Sequence, residues 1–179
     1  MKDWNVVVTV HKEGFGGALN LLEQLGEVNK TDYFNVLVMR VGNTRALLEN
    51  LRSRLAQEPG ILNDIASLIP LQYLFTFQSP EAFEEKSGEI VSRWVPLLAG
   101  KSFHVRMRRR GFKGRLSSME EERFLDELIL SNLDKLGNSG KITFEDPDYI
   151  VAVQSIGTKA GLSLWSREDL HRYEFLKLG

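Results

Sequence analysis

From Phe103 to Ser118 the chain reads FHVRMRRRGFKGRLSS. The alternation at its start places Phe103, Val105 and Met107 on one side of an extended strand, and His104, Arg106, Arg108 and Arg110 on the other. Same-side residues of a strand lie about 6.6 Å apart, close to the spacing of successive phosphates on an extended single strand, so a row of guanidiniums can follow a nucleic-acid backbone. Arginine suits this task because its planar fork binds phosphate oxygens in pairs and stacks on bases. Gly111 and Gly114 then interrupt the strand and let main-chain N–H groups approach an anion. Phe112 between them is available either to stack on a base or to anchor the turn in the core. Ser118 and Glu121 read as a capping box opening a helix, whose positive end faces the same turn.

The charge distribution sharpens this reading. Net charge is only −1 over 179 residues. Yet Lys101, Arg106, Arg108, Arg109, Arg110, Lys113 and Arg115 supply seven positive charges within a span free of Asp and Glu, leaving 16 basic against 24 acidic side chains elsewhere. A polyanion is drawn to that segment and repelled by the remainder, which orients its approach. Alternating charge also solubilises an exposed edge strand, although solubilising faces usually mix signs. His104, set among arginines, is expected to face RNA or solvent.

Working outward, Trp4 to Val10 reads as a strand, broken by Gly14 to Gly17. Leu19, Leu22 and Leu25 mark a helix ended by Gly26. Asn35 to Val41 is a buried strand, and Leu47, Leu48, Leu51 and Leu55 mark a helix stopped by Pro59 and Gly60. A short helix is expected over Ile61 to Ile69, then a strand over Leu71 to Phe77. Ser79 and Pro80 start a long helix carrying Phe83, Ile90, Trp94, Leu97 and Leu98. After the basic strand, the helix from Ser118 buries Phe124, Leu125, Leu128, Ile129 and Leu136. Strands follow near Ile142, over Tyr149 to Ile156 and over Leu162 to Trp165, and the tail from Arg167 is partly helical or irregular. Strands alternating with helices predict an α/β (α+β) fold, with antiparallel pairing at its C-terminal end and an internal boundary at Gln57 to Gly60. The two lobes are expected to pack as one unit.

Two RNA-binding signatures are approached and missed. Arg110-Gly111-Phe112 opens like the RRM motif, but Lys113 and Gly114 stand where a small residue and an aromatic belong. Gly111-Phe112-Lys113-Gly114 has GxxG form but follows a strand instead of joining two helices. The basic stretch, the long amphipathic helix and FEDPDYIVAVQSIGTKAGLSLWSRE (144–168) together resemble the THUMP domain of tRNA-modifying proteins. The most specific element is the pairing of Arg108 to Gly111 with Pro147, Asp148, Val151 and Val153. The first half looks like the ferredoxin-like lobe that often precedes such a domain. The resemblance implies residues 1–58 as that lobe and 59–179 as the THUMP domain. It further implies a tRNA partner held by its acceptor end, and a modifying enzyme acting in trans. With the chain stopping at Gly179, the likeness is to the stand-alone adaptor of a tRNA cytidine N4-acetyltransferase, itself without catalysis. Carried over by position, Arg106, Arg108, Arg109, Arg110 and Lys113 match the basic positions. Lys101, His104, Gly111, Phe112 and Arg115 complete the expected RNA-binding set.

Little points to other chemistry. Without Cys there are no disulfides, thiol nucleophiles or thiolate metal sites, and His11, His104 and His171 are far apart in sequence. Gly14 and Gly16 lack the third glycine of a dinucleotide fingerprint, and no Walker motif occurs. Asp146 and Asp148 flank Pro147 as turn formers, and Glu120, Glu121 and Glu122 suit a helix's first turn. No cofactor, metal, DNA or membrane partner is expected, and no signal peptide or membrane span is read, which predicts a cytoplasmic protein. Two alternatives compete with RNA binding. One is a scaffold whose basic strand meets an acidic protein; the other is a small enzyme marked by an apolar pocket with convergent titratable groups.

Overall fold

The computed structural model describes residues 3–178 and divides them into two compact units, 3–71 with 170–178, and 72–169. In the first, β1 (Val6–Val10) is followed by a 3-10 turn (Lys12–Gly14), α1 (Phe15–Glu23), β2 (Glu27–Lys30), β3 (Val36–Arg40), α2 (Thr44–Gln57), α3 (Ile61–Asp64) and β4 (Ile65–Pro70). The strands form an antiparallel sheet ordered β2-β3-β1-β4, the ferredoxin-like arrangement. Its core includes Val6, Val8, Leu22, Leu37, Met39, Leu48 and Leu51. The boundary expected at Gln57 to Gly60 falls inside this unit. The reason is β4, which pairs with β1 from Val6↔Pro70 to Val10↔Ile65 and closes the sheet. The helix expected over Ile61 to Ile69 accordingly ends at Asp64, because pairing with β1 overrides an apolar run whose period is ambiguous.

Two of the glycines read as breaking the first strand, Gly16 and Gly17, lie within α1. Gly17 is there because a Cβ on it would meet Asp64 Oδ2 at 2.4 Å, and Gly14 just before the helix would place one 2.3 Å from Asp64 Cα. Close approach to α3, not a loop, explains Gly14 and Gly17, whereas nothing lies near Gly16. The C-terminal residues complete this unit: Phe175 O accepts from Leu68 N at 2.9 Å, and Glu49 Oε1 accepts from both Arg172 Nε and Tyr173 Oη.

In the second unit β5 (Tyr73–Thr76), α4 (Pro80–Ser92), α5 (Val95–Leu98), β6 (Ser102–Arg108), α6 (Ser118–Lys135), β7 (Lys141–Ile142), β8 (Tyr149–Ile156) and β9 (Lys159–Ser166) form a sheet ordered β5-β9-β8-β6-β7 with its helices. α7 (Arg167–Arg172) follows β9. β6 runs parallel to β8 across the α6 crossover, while β8–β9 and β5–β9 are antiparallel. Phe103, Val105, Val151, Val153 and Leu162 meet Phe83, Ile90, Leu125, Ile129 and Leu133 in one core. The single long helix expected after Ser79 is two, since Pro96 starts a fresh turn at α5. Leu97 and Leu136, expected in the apolar stripes, are exposed. No helix among the described residues is long and apolar enough to cross a membrane.

Candidate nucleic-acid interface

β6 holds the predicted alternation by packing Phe103 and Val105 under α6. On its other flank β7 reaches only Phe103, with Thr143 N donating to Phe103 O as the last ladder bond. Past that point α6 closes the edge with side chains. Asp126 Oδ1 accepts from Val105 N at 2.9 Å, and Glu122 Oε2 accepts from Met107 N at 2.8 Å. Burial pushes the Asp126 carboxyl up to about 7, with the negative charges of Glu122 and Glu127 adding to the effect.

Beyond β6 the chain enters a compact turn with Gly111, Phe112 and Gly114 at φ of 97°, 54° and 80°, closed by Arg115 N and Leu116 N donating to Phe112 O. The Phe112 ring packs 4.9 Å from that of Phe77, the Arg115 guanidinium lies 4.7 Å from its centroid, and Arg115 Nη2 reaches Gln78 O at 3.2 Å. Phe112 therefore anchors the turn. Lys113 and Arg115 are exposed, as is Arg108 at the end of β6; Arg109 is half-buried and donates to Gly111 O. None of these four cations is paired with a carboxylate among the described residues.

Three members of the expected set are placed elsewhere. Arg110 is buried, with Nη1 donating to Gln154 Oε1 at 2.8 Å, and burial followed by the nearby Arg108 charge pulls its pKa down to about 10. It is still a cation at neutral pH, but it is not displayed. His104 is 2% exposed, packs its ring 5.6 Å from that of Phe144, and is held below the usual histidine pKa by burial. It does not face solvent as expected. Lys101, at the opposite end of β6, is seven residues from Arg108, roughly 23 Å along an extended strand, so it does not join the turn. Arg106 is half-buried on the strand between.

The structure adds neighbours that sequence reading missed. Gly157 N donates to Arg110 O and Phe77 N to Thr158 O, which brings the β8–β9 hairpin tip, with Lys159, to the same end of the sheet. Lys86 is nearby, its Nζ donating to Thr76 O opposite Lys159 in the register. Only strand pairing juxtaposes these residues, so no local signal could have found them. The helix start is also shifted. Ser117, not Ser118, caps α6 by accepting from Glu120 N, and Glu121 is buried. The acidic first turn of α6 offsets its dipole and leaves the cationic side chains as the anion-attracting part of this end.

Along the closed edge of β6 lies a cavity of about 300 Å3 lined by residues that include Val105, Met119, Asp126, Leu130, Ile142 and Phe144, with His104 also on its wall. It brings His104, Glu122, Asp126 and Glu127 together against apolar walls. No cluster of three or more metal-ligating side chains occurs among the described residues.

No family model matches the chain, and no curated protein matches it. Among solved structures it is similar to PH1313 from Pyrococcus horikoshii, with 14% identity over 92% of this chain and 55% of that one and a TM-score of 0.60. It is also similar to a 4-thiouridine synthetase crystallised with RNA and ATP, with 14% identity over 92% of this chain and 42% of that one at TM-score 0.56. TrmN from Thermus thermophilus follows, with 20% identity over 90% and 44% at TM-score 0.55. The chain spans about half or less of each of these proteins. At such identities the likeness establishes the fold alone, a mixed α/β architecture of THUMP-like type.

Proposed function

We propose that this chain binds tRNA through the turn that follows β6, holding the acceptor end for a separate modifying enzyme, such as a cytidine N4-acetyltransferase, and performing no covalent step itself. The observation that carries the reading is the cluster of Arg108, Arg109, Lys113 and Arg115 around one rigid turn, without a carboxylate partner among the described residues. Such side chains keep their charge available for phosphates, and a fixed turn reduces the ordering cost of binding. The likeness to a synthetase solved in complex with RNA supports the choice of polyanion.

The test is the affinity of end-labelled tRNA as a function of salt, for wild type and for Arg108→Ala combined with Lys113→Ala. The double variant is expected to bind more weakly and to lose up to about two units from the slope of log K against log salt, roughly one for each phosphate contact removed. Nuclease footprinting is expected to protect the acceptor stem. Unchanged affinity and slope in a variant with intact circular dichroism would remove the turn from the interface.

A further inference from the structure

The cavity beside β6 takes no part in the proposed tRNA contact, and its chemistry points elsewhere. Asp126 is 9% exposed, and besides the Val105 N–H its carboxylate makes no hydrogen bond or ion pair among the described residues. His104 has Nδ1 3.3 Å from Val105 O. The neutral ring, favoured by burial, donates there and leaves Nε2 as an acceptor. The two buried polar side chains on the wall thus both accept. Around them stand Val105, Leu130 and Ile142, with Met119 68% and Phe144 75% exposed at the mouth.

We propose that this cavity binds a planar organic cation, an amidinium or guanidinium carried on an apolar body. A forked donor meets a carboxylate through two parallel N–H···O bonds, and the exposed Phe144 ring supplies a face for the cation. Apolar walls take the body, and the volume sits at the lower end of the roughly 300–1,000 Å3 typical of ligand clefts. Arg106 and Arg123 also line the cavity and restrict the ligand to a single positive charge, while Glu122 and Glu127 keep the potential at Asp126 negative.

Benzamidine and benzamide, matched in shape but not in charge, are the probes, each titrated into the 15N-labelled full chain and followed by amide NMR. Benzamidine is expected to shift Val105, Met119, Asp126 and Phe144 and to bind at least about tenfold more tightly than benzamide. Asp126→Asn retains an acceptor for Val105 N and is expected to remove most of that difference. Phe144→Ala removes the ring at the mouth, together with its contact to His104, and is expected to weaken benzamidine several-fold. Arg108→Ala is expected to leave benzamidine binding unchanged, so failure of the tRNA reading and failure of this one are separable. n-Butylguanidine, a monocation, and an acetylated, amidated Ala-Arg-Ala peptide then distinguish a free ligand from an arginine of another chain, displacement of benzamidine by either supporting the site. Equal binding of the two probes, unaltered benzamidine affinity in a folded Asp126→Asn variant, or displacement by neither competitor would overturn the proposal.

Discussion

Arg110 Nη1 donates to Gln154 Oε1 at 2.8 Å, and both side chains are buried. A charged hydrogen bond in that setting is structural, because removing one partner leaves the other desolvated without compensation. Arg110→Ala is expected to lower unfolding free energy by about 2 kcal/mol in urea titration. Arg108→Ala, at an exposed neighbouring position, is expected to change stability by less than about 0.5 kcal/mol. Equal stability losses in the two variants would contradict the distinction between them.

Phe112 packs on Phe77 while its own backbone sits at a φ of 54°, a conformation costly for a bulky residue. The contact with Phe77 is what offsets that cost. Phe112→Ala is expected to destabilise by about 1–3 kcal/mol through lost packing. Affinity for tRNA, measured on the folded fraction, is expected to fall only a few-fold as the turn and Arg115 loosen; a large affinity loss at unchanged stability would instead indicate a base-stacking ring.

Glu121 is held up at about 8, first by burial, then by the Glu84 charge and the hydrogen bond to it, and its Oε2 has no partner. A folded pKa above the unfolded value means the folded state binds more protons, so stability declines as pH rises from about 4.5 to about 8. Asp126, raised from 3.8 to about 7, contributes a decline of the same sign. Glu121→Gln is expected to flatten the profile, gaining on the order of 1–2 kcal/mol relative to wild type at pH 8 and little at pH 4.5. Urea midpoints at the two pH values check this, and an equal gain at both would refute it.

Gly14 and Gly16 give a steric contrast within two residues. A Cβ at Gly14 would fall 2.3 Å from Asp64 Cα, whereas at Gly16 nothing lies within 4 Å. Gly14→Ala is expected to cost about 1–3 kcal/mol by forcing backbone apart. Gly16→Ala, inside α1, is expected to gain up to about 1 kcal/mol from reduced chain entropy and better helix propensity. Thermal melts of the two variants should move in opposite directions.

The α/β layering, the strand from Ser102 and the helix after it were legible because their hydrophobic periods are unambiguous. β2, with the sequence EVNK, carries no such pattern and exists because it pairs with β3. Ile65 to Pro70 was misread because apolar residues in that spacing suit either period until β1 selects the strand. At the candidate site, alternation correctly separated Phe103 and Val105 from Arg108. It could not reveal that His104 and Arg110 are buried on the opposite side, since burial there depends on residues such as Phe144 and Gln154, some 40 positions away. The roles of Asp126 and Glu122 were equally hidden, because helical spacing says which face a carboxylate occupies but not which backbone donor it meets.

Those two carboxylates also bear on how the protein behaves when crowded. Unsatisfied donors along a sheet margin invite a stranger's strand and, repeated from molecule to molecule, seed fibres. With the Val105 and Met107 amides already engaged by α6, an incoming chain must first evict a helix side chain for each bond it gains. The flank therefore resists accidental polymerisation without needing a further strand to cover it.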